Sequence, residues 1–575
     1  MKRETHLFRR CQRLALALGL AFAGAATAQA QTAPGAGVSY PEPALDGSGL
    51  EAAPAQDAAP GPAPAASQGR ARRARTEIRP YLEVAQVVSA ELDGGDTLTY
   101  TSVAAGVDGR VETRRVSVQM SYRYQRNIEW QGEVGDQDVH SGVALVGVQV
   151  VPGALQFEAG ALATRTGGEG RAIGVTDRDE SVEVYSVYAG PTLSTHAGPV
   201  AVNASYRLGY VAIDDDSIVG GPREDFDSAV AHSATASVGM APGRLPVGWT
   251  VGGGYARTDT ESEFDHDFEG AYVRADVVVP VGPTLALTAG VGYEDIRSSQ
   301  LDLARDADGI PIVGPDGRPV ADPTRPRVLT YDIDGIIYDA GLIWRPSART
   351  ELQARAGHRY GGTTFVGSLS HQFSANTGMN IVVYDTVETF GNLLVNDLSN
   401  LPDGFEIDRD PLTGNLGGCA FGADPGTGVC FDRSLQSIRG NTFRMRGASL
   451  ILSGNRGLWS WGVGAGYAQR RYKRPQDPAF DVFGAEEDET IGLFGSVGRQ
   501  LSRTSSIDFN TYASWFDTDL ADFDRVFSTG ATLSYNRNFL LDRMRLIAAL
   551  GIDHHDDGTF NSTVISALLG LRYTF

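Results

Sequence analysis

Arginine is the residue type here whose spacing most readily suggests chemistry. Arg115, Arg123, Arg207, Arg274, Arg355, Arg359, Arg444, Arg446, Arg543 and Arg545 fall on the polar register of runs in which apolar and polar residues alternate. Asp276, Asp339, Glu351 and Asp508 recur on the same register, as do Glu83 and Glu158. Guanidinium and carboxylate groups facing a water-filled interior discriminate passing solutes by charge, and Arg grips carboxylates through paired hydrogen bonds. The same groups can instead pair with one another and stiffen a wide wall, and spacing does not choose between these readings. Arg355, Arg359, Arg444 and Arg446, on strands separated by only two others, make the strongest case for an anion-attracting wall.

Cysteine offers a second chemistry. Cys419 and Cys430 lie within a long polar stretch, Gly391 to Gly440. In an oxidising compartment such a pair forms a disulfide, worth about 3 kcal/mol to a loop of this size on the chain-entropy account. Zinc would need two further ligands nearby, which the stretch lacks. A stapled loop of this length fits either a constriction folded into a lumen or an exposed cap. Acidic clusters at 214–227, Glu261 to Asp267, Glu486 to Glu489 and Asp517 to Asp524 offer hard oxygen ligands, but none has calcium-loop spacing, so no metal site is assigned. They read as solvated loop charge, or as partners of the divalent cations that bridge lipopolysaccharide. His554-His555-Asp556-Asp557 comes without any G-x-S-x-G or H-E-x-x-H motif, so neither catalysis nor a cofactor is expected. Gly462, Gly464 and Gly466 alternate with no helix following; they mark a strand face that something approaches closely, not a phosphate loop.

Side chains on alternate positions need strands to hold them. In Arg115 to Gln125, Val116, Val118, Met120, Tyr122 and Tyr124 alternate with Ser117, Gln119, Ser121 and the arginines. The pattern returns in Val200 to Tyr210, Ile507 to Trp515 and Met544 to Ile552. Half-apolar strands of about ten residues suit a tilted bilayer crossing. Short connections at Pro152-Gly153, Thr195 to Pro199, Pro242 to Pro246, Pro280 to Pro283, Pro346 to Arg349, Ser374 to Gly378, Gly454 to Gly457 and Ser502 to Ser505 alternate with long polar ones. That alternation marks an outer-membrane barrel with its short turns in the periplasm, and it gives about 22 strands, within a range of roughly 20 to 24. The fold class is therefore all-β, an antiparallel transmembrane β-barrel. Tyr124, Tyr210, Tyr255, Tyr293, Tyr360 and Trp515 form one expected aromatic girdle, and Trp249, Trp344, Tyr535 and Tyr573 the other.

Composition agrees. Of 575 residues 70 are Gly, the formal charge is −21 and mean hydropathy is −0.17. Such acidity argues against nucleic acid as a partner. Lys2, Arg3, Arg9, Arg10 and Arg13, the apolar stretch Leu14 to Ala26 and Ala28-Gln29-Ala30 read as a signal peptide over 1–30. Residues 31–75, rich in Ala, Pro and Gly, read as a disordered periplasmic linker. It ends in Arg70, Arg72, Arg73 and Arg75, either a tether to anionic headgroups or simply a charged linker end. Residues 76–575 form the barrel. Its last strand alternates Ala567, Leu569, Leu571, Tyr573 and Phe575 and ends on an aromatic, resembling the signal read by the barrel-assembly machinery.

The stretch Leu352 to Asp385 and the opening RPYLEVAQVVSAELDGGDTLTY from Arg79 resemble outer-membrane β-barrel porins of alphaproteobacteria, of the sphingomonad type. The resemblance covers most of residues 76–575. Some relatives carry the label of a preprotein translocase accessory subunit, which does not fit a chain without an apolar anchor helix. The resemblance implies a porin-like role and brings no catalytic residues. The expectation is passive diffusion of small hydrophilic solutes across a Gram-negative outer membrane, with linker and C-terminus periplasmic. Outer-membrane lipid, lipopolysaccharide and the assembly machinery are the expected partners. The N-terminal segment is too short and polar to make the globular plug of energised transporters, whose barrels have the same strand number, so a lumen this wide requires loop insertion. The alternative is a structural or export-associated barrel without general pore activity.

Overall fold

The computed structural model describes residues 75–95, 97–131, 137–167, 181–214, 226–314, 319–402, 404–475, 477, 480, 487–519, 525–558 and 561–575. The expected signal peptide and all of the expected linker except Arg75 lie outside the described residues, as do parts of the acidic clusters at 214–227, 486–489 and 517–524.

Alternation of apolar and polar side chains is satisfied when one face of each strand meets lipid and the other meets the interior. The chain does this in a 22-stranded antiparallel sheet. The first strand, Arg75–Glu91, pairs with the last, Asn561–Thr574, so no edge is left open. In the first strand Leu82 and Val84 are about half exposed on the outer face, while Tyr81, Glu83, Ala85 and Val87 are buried within. Barrel strands run from 10 residues in Thr350–Arg359 to 20 in Val328–Ser347. Short turns fall where expected, with Gly153, Gly198 and Gly457 supplying the positive φ these reversals need. Both described chain ends sit at the short-turn end: Arg75 pairs with Glu112 beside one turn, and the Phe575 N–H donates to the Pro80 carbonyl (3.0 Å).

Two further turns were not anticipated, and they correct two side-chain positions. The chain reverses at 113–115 and again through Leu540, Leu541 and Asp542, all at positive φ. Arg115 and Arg543 therefore occupy turns and not strand faces; Arg115 is half-buried and Arg543 exposed.

At the opposite end one hairpin is short. Thr350–Arg359 and Gly362–Ser374 are joined by a two-residue reversal at Tyr360 and Gly361, both at positive φ. Pairing with Val328–Ser347 begins only at Tyr338 opposite His358, and pairing with Thr377–Glu388 extends only to Gly367 opposite Val383. The flanking strands overhang this hairpin, and Tyr360 is buried beneath them instead of joining the outer girdle.

The long stretch between Thr377–Glu388 and Phe443–Arg456 is folded. It contains helix α1 (Phe390–Ser399), a sheet of Glu406–Arg409, Leu416–Phe421 and Gly428–Cys430, and the single turn α2 (Asp432–Leu435). The Thr389 hydroxyl caps α1 by accepting the Asn392 N–H (3.3 Å). Phe390, Leu393, Leu394, Val395 and Leu398 are all buried, so the helix is enclosed on every side. Phe390, Leu394, Leu398, Leu401 and Phe405 pack with Val143, Leu162, Val184 and Val211 of the inner wall. Burial of each such side chain is worth about 1.5–3 kcal/mol.

Candidate functional site

This insertion, residues 389–442, lies inside the barrel. It enters and leaves at the end that carries the long connections, yet its Pro425-Gly426 tip lies against Gly378, beside the 374–377 turn at the other end. Around the wall, Tyr100 donates to the Leu412 carbonyl (2.9 Å), Ser141 to that of Gly414 (2.8 Å), and Thr164 to that of Leu416 (3.0 Å). Across the lumen, Arg470 donates to the Ser437 carbonyl (2.6 Å) and the Gly426 N–H to Ser453 Oγ (2.8 Å), and between these two sides Thr532 donates to Asp410 (3.0 Å). Gln119 bonds the Phe405 carbonyl. A folded body bonded to opposite walls occupies the space in which an open aqueous pore would run.

Cys419 and Cys430 are directly opposed in the small sheet and form the expected disulfide, Cα to Cα 3.9 Å. Of the two forms left open for the loop, the inward one is observed. The alternating glycines explain how it fits: a Cβ on Gly464 would lie 2.2 Å from Cys419 Sγ, and one on Gly462 would lie 2.6 Å from the Phe421 ring. Gly466 instead borders a cavity of about 100 Å3, lined also by Asn380, Asn400, Cys430, Arg433 and Thr490. Within the insertion, Arg433 is bonded to Asp397 and lies over the Tyr384 ring (5.2 Å). Burial opposes the Arg433 cation most strongly, but Asp397, Tyr384 and Glu388 together outweigh it and raise the pKa above the usual arginine value.

The wall charges are mostly matched in pairs. Arg274 bonds Asp276 (2.6 Å) and Asp339 (2.8 Å), and Arg355 bonds the same two carboxylates (2.8 and 3.1 Å), a neutral square on the inner face. Arg123 meets Glu83 (2.8 Å), Arg359 meets Glu294 (3.1 Å), Glu351 meets Arg345 (3.0 Å), and Arg207 bonds Glu158. Asp508 accepts from Asn536 (3.1 Å), and Arg545 donates to Asn538 (3.0 Å).

Arg444 and Arg446 depart from the expected inner register. They share a face with Asp385, Val387 and Val383, whereas Tyr384, Met445 and Ile451 on the other face meet the insertion or its cavity. Both arginines bond Asp385 (2.8 and 3.1 Å) and reach the Thr363 carbonyl over the short hairpin. The four arginines thus do not share one register: Arg355 and Arg359 lie on the inner register of their strands, whereas Arg444 and Arg446 lie on the opposite register and turn over the hairpin tip, where Arg359 and Arg444 both lie over the Tyr360 ring (4.7 and 5.6 Å). His554 and His555 are bonded to Thr563 (3.0 Å) and Ser528 (3.0 Å).

Glu294, Asp385 and Arg572 escaped the sequence reading. Glu294 and Arg572 could have been found, since they alternate with outward Tyr293 and with Leu571 and Tyr573. Asp397, Arg409, Asp410 and Arg433 sit in a segment with no periodicity to mark them. Ala567, Leu569, Leu571, Tyr573 and Phe575 lie on the outer face as expected.

No protein-family model matches the chain, and no curated protein does either. The resemblance drawn from Leu352 to Asp385 and from the stretch at Arg79 therefore stands on those residues alone. Among solved structures, the chain is similar to the FrpB iron transporter from Neisseria meningitidis, with TM-score 0.43 and 11% identity over 87% of this chain and 83% of that one. It is similar to the ferric-catecholate import receptor Fiu of E. coli K12 in its closed form (TM-score 0.42, 9% identity, 86% and 81% covered). It is also similar to the siderophore receptor PiuA from Acinetobacter baumannii (TM-score 0.41, 10% identity, 86% and 82% covered). The closed antiparallel barrel with an apolar outer face is the architecture of outer-membrane barrels, and that face suits the outer membrane. Passive diffusion through a water-filled lumen, expected from the sequence, is overturned: a folded insertion with an apolar core crosses the lumen and is bonded to its walls.

Proposed function

We propose that the protein takes up a selected ligand across the outer membrane, and that the insertion 389–442 is its internal plug. The observation that carries this reading is the bonding of one folded segment to opposite walls along the length of the lumen. A solute can pass only if that body shifts, and a body that must shift couples passage to binding. The short turns face the periplasm, as in barrels of this kind. Arg75 and the C-terminus then lie on that same side, and the opposite end of the barrel is the outer mouth.

Locking the plug tests this directly. Thr164 and Asn415 already touch (Oγ1 to Oδ1 3.1 Å), so Thr164→Cys with Asn415→Cys places a second disulfide between wall and plug. In cells lacking other receptors, uptake of labelled probes, a ferric catecholate first among them, should saturate with concentration. It should stop in the locked variant and return on reduction. Uptake that rises linearly with concentration and ignores the lock would reject the proposal.

A further inference from the structure

Toward the short-turn end, the seam between plug and wall carries more cations than carboxylates. On the inner wall Arg123 stands opposite Ser141, Glu83 opposite Arg572, and Arg572 opposite Arg545. From the plug, Arg409 reaches the same Ser141 through its backbone carbonyl (3.2 Å). Among the described side chains, two carboxylates serve these four guanidiniums. Glu83 is shared by Arg123 (2.8 Å) and Arg572 (2.7 Å), while Asp108 stands 4.0 Å from Arg572 and accepts the Ser121 hydroxyl (2.8 Å). Two other arginines at this end have carboxylates of their own, Arg79 with Glu77 and Arg110 with Glu112 (3.8 Å).

Arg409 is the member left over. Its Nε is buried, and among the described residues that atom has no hydrogen-bond partner and the guanidinium's one bonded contact is to a neutral carbonyl. Burial, joined by Arg123 and Arg572, pushes the pKa of Arg409 down. A half-buried cation without a carboxylate partner is unfavourable, and so is a buried donor with no acceptor. A bound oxyanion answers both, since its oxygens accept charge-assisted bonds from several guanidiniums at once.

We propose that Arg409, Arg123, Arg545 and Arg572 bind a small oxyanion, a phosphate or a carboxylate, clamped between plug and wall. The site goes beyond the uptake reading, because an anion held there ties the plug to the wall whether or not the barrel transports.

Thermal unfolding of the full-length folded barrel in detergent tests it. Inorganic phosphate and succinate serve as probes, with chloride at equal ionic strength as reference. One or both should raise Tm saturably, and their selectivity identifies the source of the anion. Arg409→Gln should weaken that binding by about tenfold or more. Arg409→Lys should fall between the two, and Arg525→Gln, at an exposed pair with Asp517, should bind like the native protein. Heat-modifiable migration reports folding; if Arg409→Gln does not fold, Arg545→Gln is read in its place. Absence of a saturable shift with either probe, or undiminished binding in the folded variant, would overturn the site.

Discussion

Asp410 shows how much a single plug residue depends on its surroundings. Its carboxylate accepts from the Leu412 N–H (2.7 Å), the Thr413 N–H (3.2 Å) and the Thr532 hydroxyl (3.0 Å). Burial nevertheless dominates those bonds and raises its pKa. A carboxyl whose pKa is raised by folding favours the protonated folded state. Its contribution is full below the ordinary aspartate value of about 3.9 and fades as pH rises through the folded value. Hydrogen-exchange protection of residues 409–416, corrected for intrinsic rates, should therefore strengthen on acidification from neutral pH, and Asp410→Asn should flatten the trend. Protection that weakens on acidification would contradict the sign. At this scale the sequence was partly legible. Gly462 and Gly464 announced a close approach, and the plug is what approaches them. Arg444 and Arg446 misled, because alternation counted along a strand cannot show that the neighbouring hairpin stops short and lets side chains of the other face reach over its tip.

Among elements, strands were the most legible, since lipid on one side and interior on the other impose a strict period of two. Turns rich in Pro and Gly were equally plain, while those at 113–115 and 540–543 carry neither residue type and were missed. The small sheet of the plug was legible only through its cysteines. It has few strand residues and depends on the staple between Leu416–Phe421 and Gly428–Cys430. Replacing Cys419 and Cys430 by Ser should cost the plug up to about 3 kcal/mol of local stability. Faster amide exchange at residues 416–430, with the barrel strands unchanged, is the expected signature; unchanged protection there would show that packing alone holds the sheet.

For the whole molecule, length and alternation led to one barrel, and the strand number agrees with the 22 observed. The need for an inserted loop also followed from barrel width. What could not be read was the loop's effect on passage. A segment without periodicity gives no sign of whether it narrows a pore or fills it, and only its contacts with opposite walls decide between them. Those contacts imply an occluded lumen, and single-channel recording in a planar bilayer reads occlusion itself. The intact barrel should stay closed at low voltage, whereas the same barrel with residues 391–440 replaced by a short Gly-Ser turn should give large, stable steps. Stepwise conductance of similar size from both proteins would contradict a plugged lumen.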